Sequence, residues 1–262
     1  MRLTQTVAQE AADLLYAAQT RRMPISPLTE RFQGLDINGA YAIQRVNLTR
    51  RLRDGRTLVG HKIGLTSEPM QSLLGVDEPD FGYILDDMVL TNGTAAAATR
   101  FCAPRVEPEV AFLLKRPLRG PGVTIEEVHA ATEAVAVALE VVDSRIAHWK
   151  LTLPDTVADN ASSGAVVLGD WVPFSVDVDL PGTRASLWLN GTEIDSGAGT
   201  AVMGDPAAAV AWLANALAPF ATEILPGQFI ISGAYTSAAF VHPGDNAVAT
   251  ISGLGTVSLS FT

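Results

Sequence analysis

Apolar residues recur at helical spacing in two segments near the N-terminus. Residues 4–20 show this period and predict an amphipathic helix. A second helix is predicted from Ile37 to Arg53, with Asp36 as its N-cap and with arginines near its C-terminal end, where positive charge suits the helix dipole. Together these helices predict an N-terminal helical arm over residues 1–56.

From residue 57 onward, strand patterns separated by turns dominate. Residues 57–65 predict a strand whose glycines allow another part of the chain to approach closely. Asn190-Gly191 is a strong type I′ turn signal, and it predicts a hairpin over residues 186–194. Turn residues then separate three β runs that end at Phe261.

Short helices are predicted between these strands. Ser67-Glu68-Pro69 predicts the start of one helix, and Asp205-Pro206 supplies the N-cap and first residue of another. The sequence Thr124-Ile125-Glu126-Glu127 is a capping box before a helix whose apolar face is expected to include Val135. The pattern therefore predicts an α+β fold, with residues 57–262 forming one β-rich structural unit.

Two glutamates interrupt the apolar segment Arg105–Leu114. In a strand, Glu107 and Glu109 point to the same face, and their Cα atoms are roughly 6.6 Å apart. Two carboxylates at that separation repel each other by about 2.5 kcal/mol at an effective dielectric near 20. A cation between them would remove this cost, but paired acids on an exposed strand are usually just solvated. Pro108 lacks an N–H, which suggests an edge strand or a bulge.

A third acid follows another apolar run. Glu140 ends the segment 134–139, which consists of alanine, valine and leucine. If the three carboxylates meet, oxygen ligands without cysteine or histidine favour a hard cation, Mg²⁺ or Mn²⁺.

Lys62 and Asp80 are further candidates, each with two interpretations. Lys62 lies among small and apolar residues, so it either extends to solvent or faces the glutamates, where it could pair with an anionic substrate or move a proton. Asp80 lies in the turn-like segment 78–82. It either accepts hydrogen bonds from loop amides or acts as an acid or base on a loop over the site.

Other polar residues favour structural interpretations. The cluster 159–164 is typical of a cap or turn, although it could offer hydroxyls and amides to a carboxylate. In segment 143–145, Asp143 and Arg145 are expected to form a local salt bridge. The four histidines share no metal-ligand spacing, and His129 is expected to be structural or exposed. No G-x-S-x-G, Walker or G-x-G-x-x-G motif supports hydride transfer or nucleotide hydrolysis.

Composition narrows the class of protein. The chain has 262 residues, of which 48% are hydrophobic and 18% charged, enough for a sizeable core. A net charge of −10 disfavours nucleic acid as a partner. The single cysteine, Cys102, excludes an internal disulfide. With no apolar run near the roughly 20 residues of a membrane span and no signal core, we expect a cytoplasmic protein with no membrane partner.

Five ordered motifs resemble one enzyme family, the 2-keto-4-pentenoate (2-hydroxypenta-2,4-dienoate) hydratases of the fumarylacetoacetate hydrolase superfamily. The resemblance covers essentially the whole chain. The motifs are Gly60-His61-Lys62-Ile63-Gly64-Leu65-Thr66-Ser67, Glu78-Pro79-Asp80-Phe81-Gly82, Pro104-Arg105-Val106-Glu107-Pro108-Glu109, Leu139-Glu140-Val141-Val142-Asp143-Ser144-Arg145 and Val157-Ala158-Asp159-Asn160-Ala161-Ser162-Ser163.

The resemblance implies a fold, a site and an assembly. The fold would be the mixed β-roll of that superfamily with helices packed outside, and family members are homo-oligomers, often decamers of stacked pentamers. It also implies site residues, namely Mg²⁺ or Mn²⁺ ligands (Glu107, Glu109, Glu140), residues acting on the substrate (Lys62, Asp80) and partners of the substrate carboxylate (Ser162, Thr236).

The implied reaction belongs to aromatic meta-cleavage catabolism. A 2-hydroxy-2,4-dienoate would pass through the 2-oxo-3-enoate and take up water at C4 to give a 4-hydroxy-2-oxo acid. Two alternatives stay open: 4-oxalocrotonate decarboxylase and a non-catalytic partner subunit. The decarboxylase branch tends to have leucine where His61 stands and to lack the Glu-Pro-Asp of residues 78–80, so both features favour a hydratase.

Overall fold

A computed structural model describes residues 4–67, 71–72 and 75–262. Residues 68–70, where the sequence predicts the start of a short helix, lie outside the described residues. The α-helices are Gln5–Arg21 (α1), Leu28–Arg31 (α2), Ile37–Arg53 (α3), Ile125–Ala131 (α4), Leu153–Ala158 (α5) and Pro206–Leu217 (α6).

Side-chain caps mark the starts of the two long N-terminal helices, and of these the Asp36 cap was predicted. The Thr4 hydroxyl accepts a hydrogen bond from the Val7 amide at α1, and the Asp36 carboxylate accepts one from the Gly39 amide at 2.8 Å, which fixes the start of α3. The buried faces of α1 and α3 pack together with residues of α5. This apolar cluster includes Ala11, Ala12, Ile43, Val157 and Ala158.

Two mixed sheets form the body. The strands are Leu58–Gly64 (β1), Asp80–Leu85 (β2), Val89–Leu90 (β3), Thr94–Ala96 (β4), Arg105–Leu114 (β5), Thr132–Val142 (β6), Ser163–Leu168 (β7), Val172–Pro173 (β8), Arg184–Leu189 (β9), Thr192–Ala198 (β10), Phe229–Ile231 (β11), Ala239–Phe240 (β12), Asn246–Ile251 (β13) and Gly255–Phe261 (β14). The larger sheet has the order β2-β1-β11-β5-β6-β7-β3, with β12 beside β5 and β8 beside β6. The smaller sheet has the order β10-β9-β13-β14-β4.

The two sheets share one apolar core. Valines and alanines dominate the long central strands, which are buried on both faces, as expected for strands with continuous apolar runs. The core joins residues of the larger sheet (Val110, Phe112, Val135, Val137), of the smaller sheet (Leu187, Ala249, Val257) and of α6 (Val210, Leu213). The central pair β5 and β6 therefore packs against other elements on both faces.

The hairpin and the capping box form as predicted. Asn190 and Gly191 have φ values of 53° and 80°, as a type I′ turn requires. Thr124 and Glu127 cap α4 reciprocally. Val135, however, lies in β6, because α4 ends at Ala131 and the chain becomes extended at Thr132.

The edge or bulge suggested at Pro108 is wrong. The β5 strand lies inside the larger sheet, and Pro108 pairs in register with Leu139 of β6. On its other side, Pro108 faces the interval 232–238, where the ladder between β11 and β12 is interrupted. The Tyr235 amide donates to the Pro108 carbonyl there at 3.0 Å. Proline has no N–H to donate, and it fits here because the interrupted ladder requires no donor from residue 108.

One helical segment in the described part of the chain, residues 199–220, is apolar and long enough to cross a membrane by length and composition alone. The sequence expectation that no such run exists is therefore wrong for this segment. Half of it is buried inside the protein, and its central helix α6 supplies core residues. We assign it as a core helix.

Candidate metal centre and active site

Three carboxylates meet where β5 and β6 run side by side. Glu107 lies opposite Glu140 in the antiparallel register, and Glu109 lies on the same face of β5 two residues along. One carboxylate oxygen from each of the three residues lies within 4.8 Å of the others. Glu109 and Glu140 are buried, so the exposed, solvated alternative is wrong for them; Glu107 is partly accessible.

The electrostatics of this cluster fit a bound cation. Burial raises the pKa of Glu140 to about 7 and, reinforced by repulsion from Glu140 and Glu107, raises the pKa of Glu109 well above its usual value. Both carboxylate oxygens of Glu140 are buried, and neither accepts a hydrogen bond of good geometry from the described residues, although Lys62 lies close to one of them. Buried acceptors without donors are costly. Carboxylate oxygens from three residues suit a hard divalent ion, so Glu107, Glu109 and Glu140 fit the metal implied by the resemblance.

Lys62 reaches this cluster from β1. Its side chain is buried, so the alternative in which it extends to solvent is wrong. Its Nζ lies 3.4 Å from Oε2 of Glu140 and donates a hydrogen bond to the Ala161 carbonyl at 3.0 Å. Burial alone would lower the pKa of Lys62. The negative charges of Glu140 and then Asp80 outweigh burial and raise that pKa above its usual value.

Asp80 is the first residue of β2 and pairs with Gly64 of β1, so its predicted location on a loop is wrong. The side chain is buried, and burial raises its pKa while the charge of Lys62 opposes the rise. Thr156 of α5 donates to its Oδ2 at 3.3 Å. A Cβ at Gly64 would lie 2.3 Å from the Asp80 carboxylate, so only glycine leaves room for it.

Ser162 stands at the end of a left-handed turn. Asn160, Ala161 and Ser162 have φ values of 58°, 50° and 53°. Each such residue costs about 1–2 kcal/mol when it is not glycine. Tertiary bonds hold the turn: the Asn160 side chain accepts from the Tyr83 amide at 2.8 Å and donates to the Tyr83 carbonyl at 3.0 Å. The polar cluster thus forms a turn, as its composition predicted, but one that places the Ala161 carbonyl on Lys62.

Arg145 does not form the local salt bridge expected with Asp143. Its guanidinium pairs with Asp159 and donates to the carbonyls of Asp143, Asp159 and Ser163. Asp143 instead accepts the backbone amides of Cys102 and Ala103. This buried arrangement ties the end of β6 to the turn that carries Ser162.

A cavity of about 370 Å³ opens above the cluster. Its lining includes five of the predicted site residues (Lys62, Asp80, Glu107, Ser162, Thr236), while Glu109 and Glu140 lie buried behind that wall. Thr236 donates to the Ser237 carbonyl at 3.1 Å. The cavity is large enough for a small organic acid.

Sequence reasoning missed Thr156 and Arg105 in this lining. Arg105 could have been found, because it precedes Glu107 by two residues and so shares its face of the strand. Thr156 gave no comparable signal. His61, next to Lys62 on β1, faces the other way into a small cavity of about 70 Å³, and its Nε2 has no partner among the described residues.

Comparisons with known proteins agree with this geometry. Residues 53–261 match the family of the fumarylacetoacetate (FAA) hydrolase C-terminal domain. The chain is 42% identical to a 2-hydroxyhexa-2,4-dienoate hydratase of Comamonas testosteroni over 95% of each chain. It is 42% identical to a 2-keto-4-pentenoate hydratase of Paraburkholderia xenovorans, covering 99% of this chain and 96% of that one.

A solved structure also matches over nearly the whole chain. It is 4-oxalocrotonate decarboxylase from Pseudomonas putida G7, complexed with magnesium and adipate. The TM-score is 0.96 at 34% identity, with 99% of each chain covered. The N-terminal helices and the mixed sheets are thus shared with that protein, and the predicted fold class is confirmed.

Proposed function

The chain belongs to the 2-keto-4-pentenoate hydratase family of the fumarylacetoacetate hydrolase superfamily, and from this premise we propose that it is a metal-dependent hydro-lyase. It adds water to a 2-hydroxy-2,4-dienoate, by way of the 2-oxo-3-enoate, and gives a 4-hydroxy-2-oxo acid. Such dienoates arise from meta-cleavage of aromatic compounds. The observation that carries the proposal is the meeting of three carboxylates, Lys62 and Asp80 at one cavity.

The metal in this proposal is held by Glu107, Glu109 and Glu140. Their oxygens lie close together, and those of Glu140 are buried, with Lys62 as the cation beside them. Mg²⁺ and Mn²⁺ both suit such carboxylate ligands. When bound, the cation supplies Lewis-acid polarisation of the 2-oxygen of the substrate.

Lys62 and Asp80 act on the substrate from the neighbouring strands. Lys62 supplies positive charge beside the developing anion on the 2-oxygen, or moves a proton toward C5. Asp80 takes a proton from the water that adds at C4. Burial raises the pKa of Asp80 above that of an ordinary carboxyl, which makes its carboxylate a stronger base. Thr156 orients the Asp80 carboxylate through its hydroxyl.

Ser162 and Thr236 complete the proposal as partners of the substrate carboxylate. Both line the cavity. The Ser162 hydroxyl lies 3.4 Å from that of Thr156, which in turn lies next to Asp80, so these hydroxyls form one chain along the wall. The proposal also includes a cytoplasmic location and assembly into a homo-oligomer, as the family resemblance implies.

The direct test is turnover of a dienoate. Purified protein with Mg²⁺ should remove the ultraviolet absorbance of 2-hydroxypenta-2,4-dienoate and release 4-hydroxy-2-oxopentanoate, identified by mass spectrometry. A protein that binds Mg²⁺ but leaves the absorbance unchanged would contradict the hydratase proposal and favour a non-catalytic partner subunit.

A decarboxylase is the second candidate, favoured by the close structural match to 4-oxalocrotonate decarboxylase. The two activities separate in one experiment, in which 4-oxalocrotonate and the dienoate are offered to the same preparation. Rapid metal-dependent release of CO₂ from 4-oxalocrotonate, with slow loss of the dienoate, would reverse our preference.

A further inference from the structure

Arg105 carries a guanidinium that contacts two aromatic rings at the cavity wall. Its Cζ lies 4.2 Å from the centre of the Trp149 ring and 4.0 Å from that of the Phe240 ring. Two ring contacts at these distances restrict the orientation of the guanidinium and leave its N–H donors free of the rings. The rings therefore orient a planar fork of donors before any ligand binds.

This fork has no hydrogen-bond acceptor among the residues that the structure describes. The Arg105 Nε is buried, and it has no hydrogen-bond acceptor among the described residues. The nearest acid, Glu107, acts on Arg105 through its charge, and no hydrogen bond from Arg105 to it or to another described residue is present. Arg105 is only partly buried, but leaving its buried Nε donor unpaired is unfavourable. The arrangement is explained if an anion supplies the missing acceptor.

The position of Arg105 in the cavity indicates that the anion is part of a bound ligand. Arg105, Glu107 and Glu109 share one face of β5, and Arg105 is the first residue of that strand, paired with the exposed Phe240. Lys62 is the other cation in the described lining, but it is already engaged by Glu140 and Ala161. Arg105 is therefore the cation left for a ligand that enters the cavity.

We propose that Arg105 binds a carboxylate of the substrate, as a bidentate fork clamped by Trp149 and Phe240. This inference rests on the proposed function, since it assigns a specificity residue for a 2-oxo acid held at the glutamates. The carboxylate has two possible sources, the 1-carboxylate beside the metal or a second carboxylate at the distal end of a dienedioate. The same fork geometry serves both.

The test measures binding of two probes to the Mg²⁺-loaded protein by calorimetry. Pyruvate has only the 2-oxo acid head, whereas 2-oxoadipate adds a distal carboxylate. The variants are Arg105→Gln, which removes the charge, and Arg105→Lys, which keeps the charge but loses the fork. Arg45→Gln is the matched control, because Arg45 also stacks on an aromatic ring, Phe220, but lies outside the cavity lining.

We expect Arg105→Gln to weaken binding about 10- to 100-fold, the range for hydrogen bonds to charged groups. Loss for both probes assigns the 1-carboxylate, and loss for 2-oxoadipate alone assigns the distal carboxylate. Arg105→Lys should recover only part of the affinity, and Arg45→Gln should bind as the unaltered protein does. In turnover, Arg105→Gln should raise KM more than it lowers kcat.

Unchanged affinity for both probes in Arg105→Gln, or no binding of either probe to the unaltered Mg²⁺-loaded protein, would overturn the inference. This failure differs from failure of the proposed function. If the protein turns over the dienoate but binds the probes equally well without Arg105, only the proposed role of Arg105 is refuted. If binding depends on Arg105 but the dienoate is not turned over, only the hydratase proposal is refuted.

Discussion

The Lys62 ammonium lies 3.4 Å from Glu140, although their strands, β1 and β6, are not neighbours in the sheet. The strands β11 and β5 separate them, so the lysine side chain reaches across this part of the sheet face. The contact places a buried positive charge beside a cluster of three carboxylates. Without a metal ion, this lysine is the main compensation for their mutual repulsion.

Removal of one carboxylate should weaken metal binding. We expect Glu107→Gln or Glu140→Gln to lower Mg²⁺ affinity at least about 100-fold, more than the loss of an outer-sphere partner, because a ligand oxygen and its charge are lost. Calorimetric titration measures this. Glu133→Gln is the control, since Glu133 is exposed on the same strand as Glu140. Mg²⁺ affinity unchanged in both ligand variants would refute the assignment.

Mg²⁺ affinity should also depend on pH. Burial raises the pKa of Glu140 to about 7, and the metal requires the deprotonated carboxylate, so affinity should rise with pH up to that value. The metal-free fold should respond in the opposite sense. Since the folded pKa exceeds the usual 4.5, stability falls as pH rises from about 4.5 to about 7. Thermal unfolding with and without Mg²⁺ across this range tests both trends, and a flat profile in each would contradict them.

Lys62→Met should retain the fold and lose turnover. The expected decrease in kcat is at least about 100-fold, the usual contribution of a positioned proton-transfer group. Steady-state loss of dienoate absorbance measures it. Lys115→Met, at an exposed position just beyond β5, should behave as the unaltered protein. Near-normal kcat in Lys62→Met would exclude Lys62 from the reaction.

Asn160→Ala should release the left-handed turn. It leaves the Tyr83 backbone groups without their buried partners, which costs about 1–3 kcal/mol per unsatisfied group. Because Ala161 would no longer hold Lys62, kcat should fall as well. Asn92→Ala is the matched control, since Asn92 also accepts from a strand amide, Ser258, but at an exposed position away from the cavity. Equal effects of the two variants on kcat would contradict a positioning role for Asn160.

His61 should make the protein sensitive to acid. Burial lowers its pKa from 6.5 to about 4, so the folded state binds fewer protons than the unfolded state between these values. The contribution of neutral His61 to the free energy of unfolding is complete above about pH 6.5. It decreases by about 3 kcal/mol as the pH falls to 4. A backbone hydrogen bond with Gly82 opposes the effect of burial on His61, and an Asn at this position can make such a bond but does not titrate. In His61→Asn the decrease in Tm between pH 6.5 and pH 5 should therefore be smaller, and an identical decrease would refute the prediction.

Local signals predicted much of the fold. Asp36 and Asp205 cap their helices as expected, and Asn190-Gly191 forms its turn, because each depends on a few adjacent residues. The same-face relationship of Glu107 and Glu109 also follows from strand geometry alone. Their meeting with Glu140 required a pairing register that the local pattern does not specify.

Contacts between distant segments could not be predicted in the same way. The burial of Lys62 depends on the carbonyl of Ala161, and the strand position of Asp80 depends on its pairing with Gly64. The aromatic clamp on Arg105 brings together side chains from three separate segments. Such relationships arise from tertiary packing, which overrides local propensity.

The apolar cluster that joins α1 and α3 to α5 connects the N-terminus to the reaction chamber. Val157 and Ala158 belong to this cluster, while Thr156, adjacent in the same helix, holds the Asp80 carboxylate. Deleting α1 and α3 to obtain a shorter enzyme would thus expose the apolar side of α5 and remove the packing that holds Thr156 beside Asp80. Truncations of this protein should therefore spare the N-terminal helices.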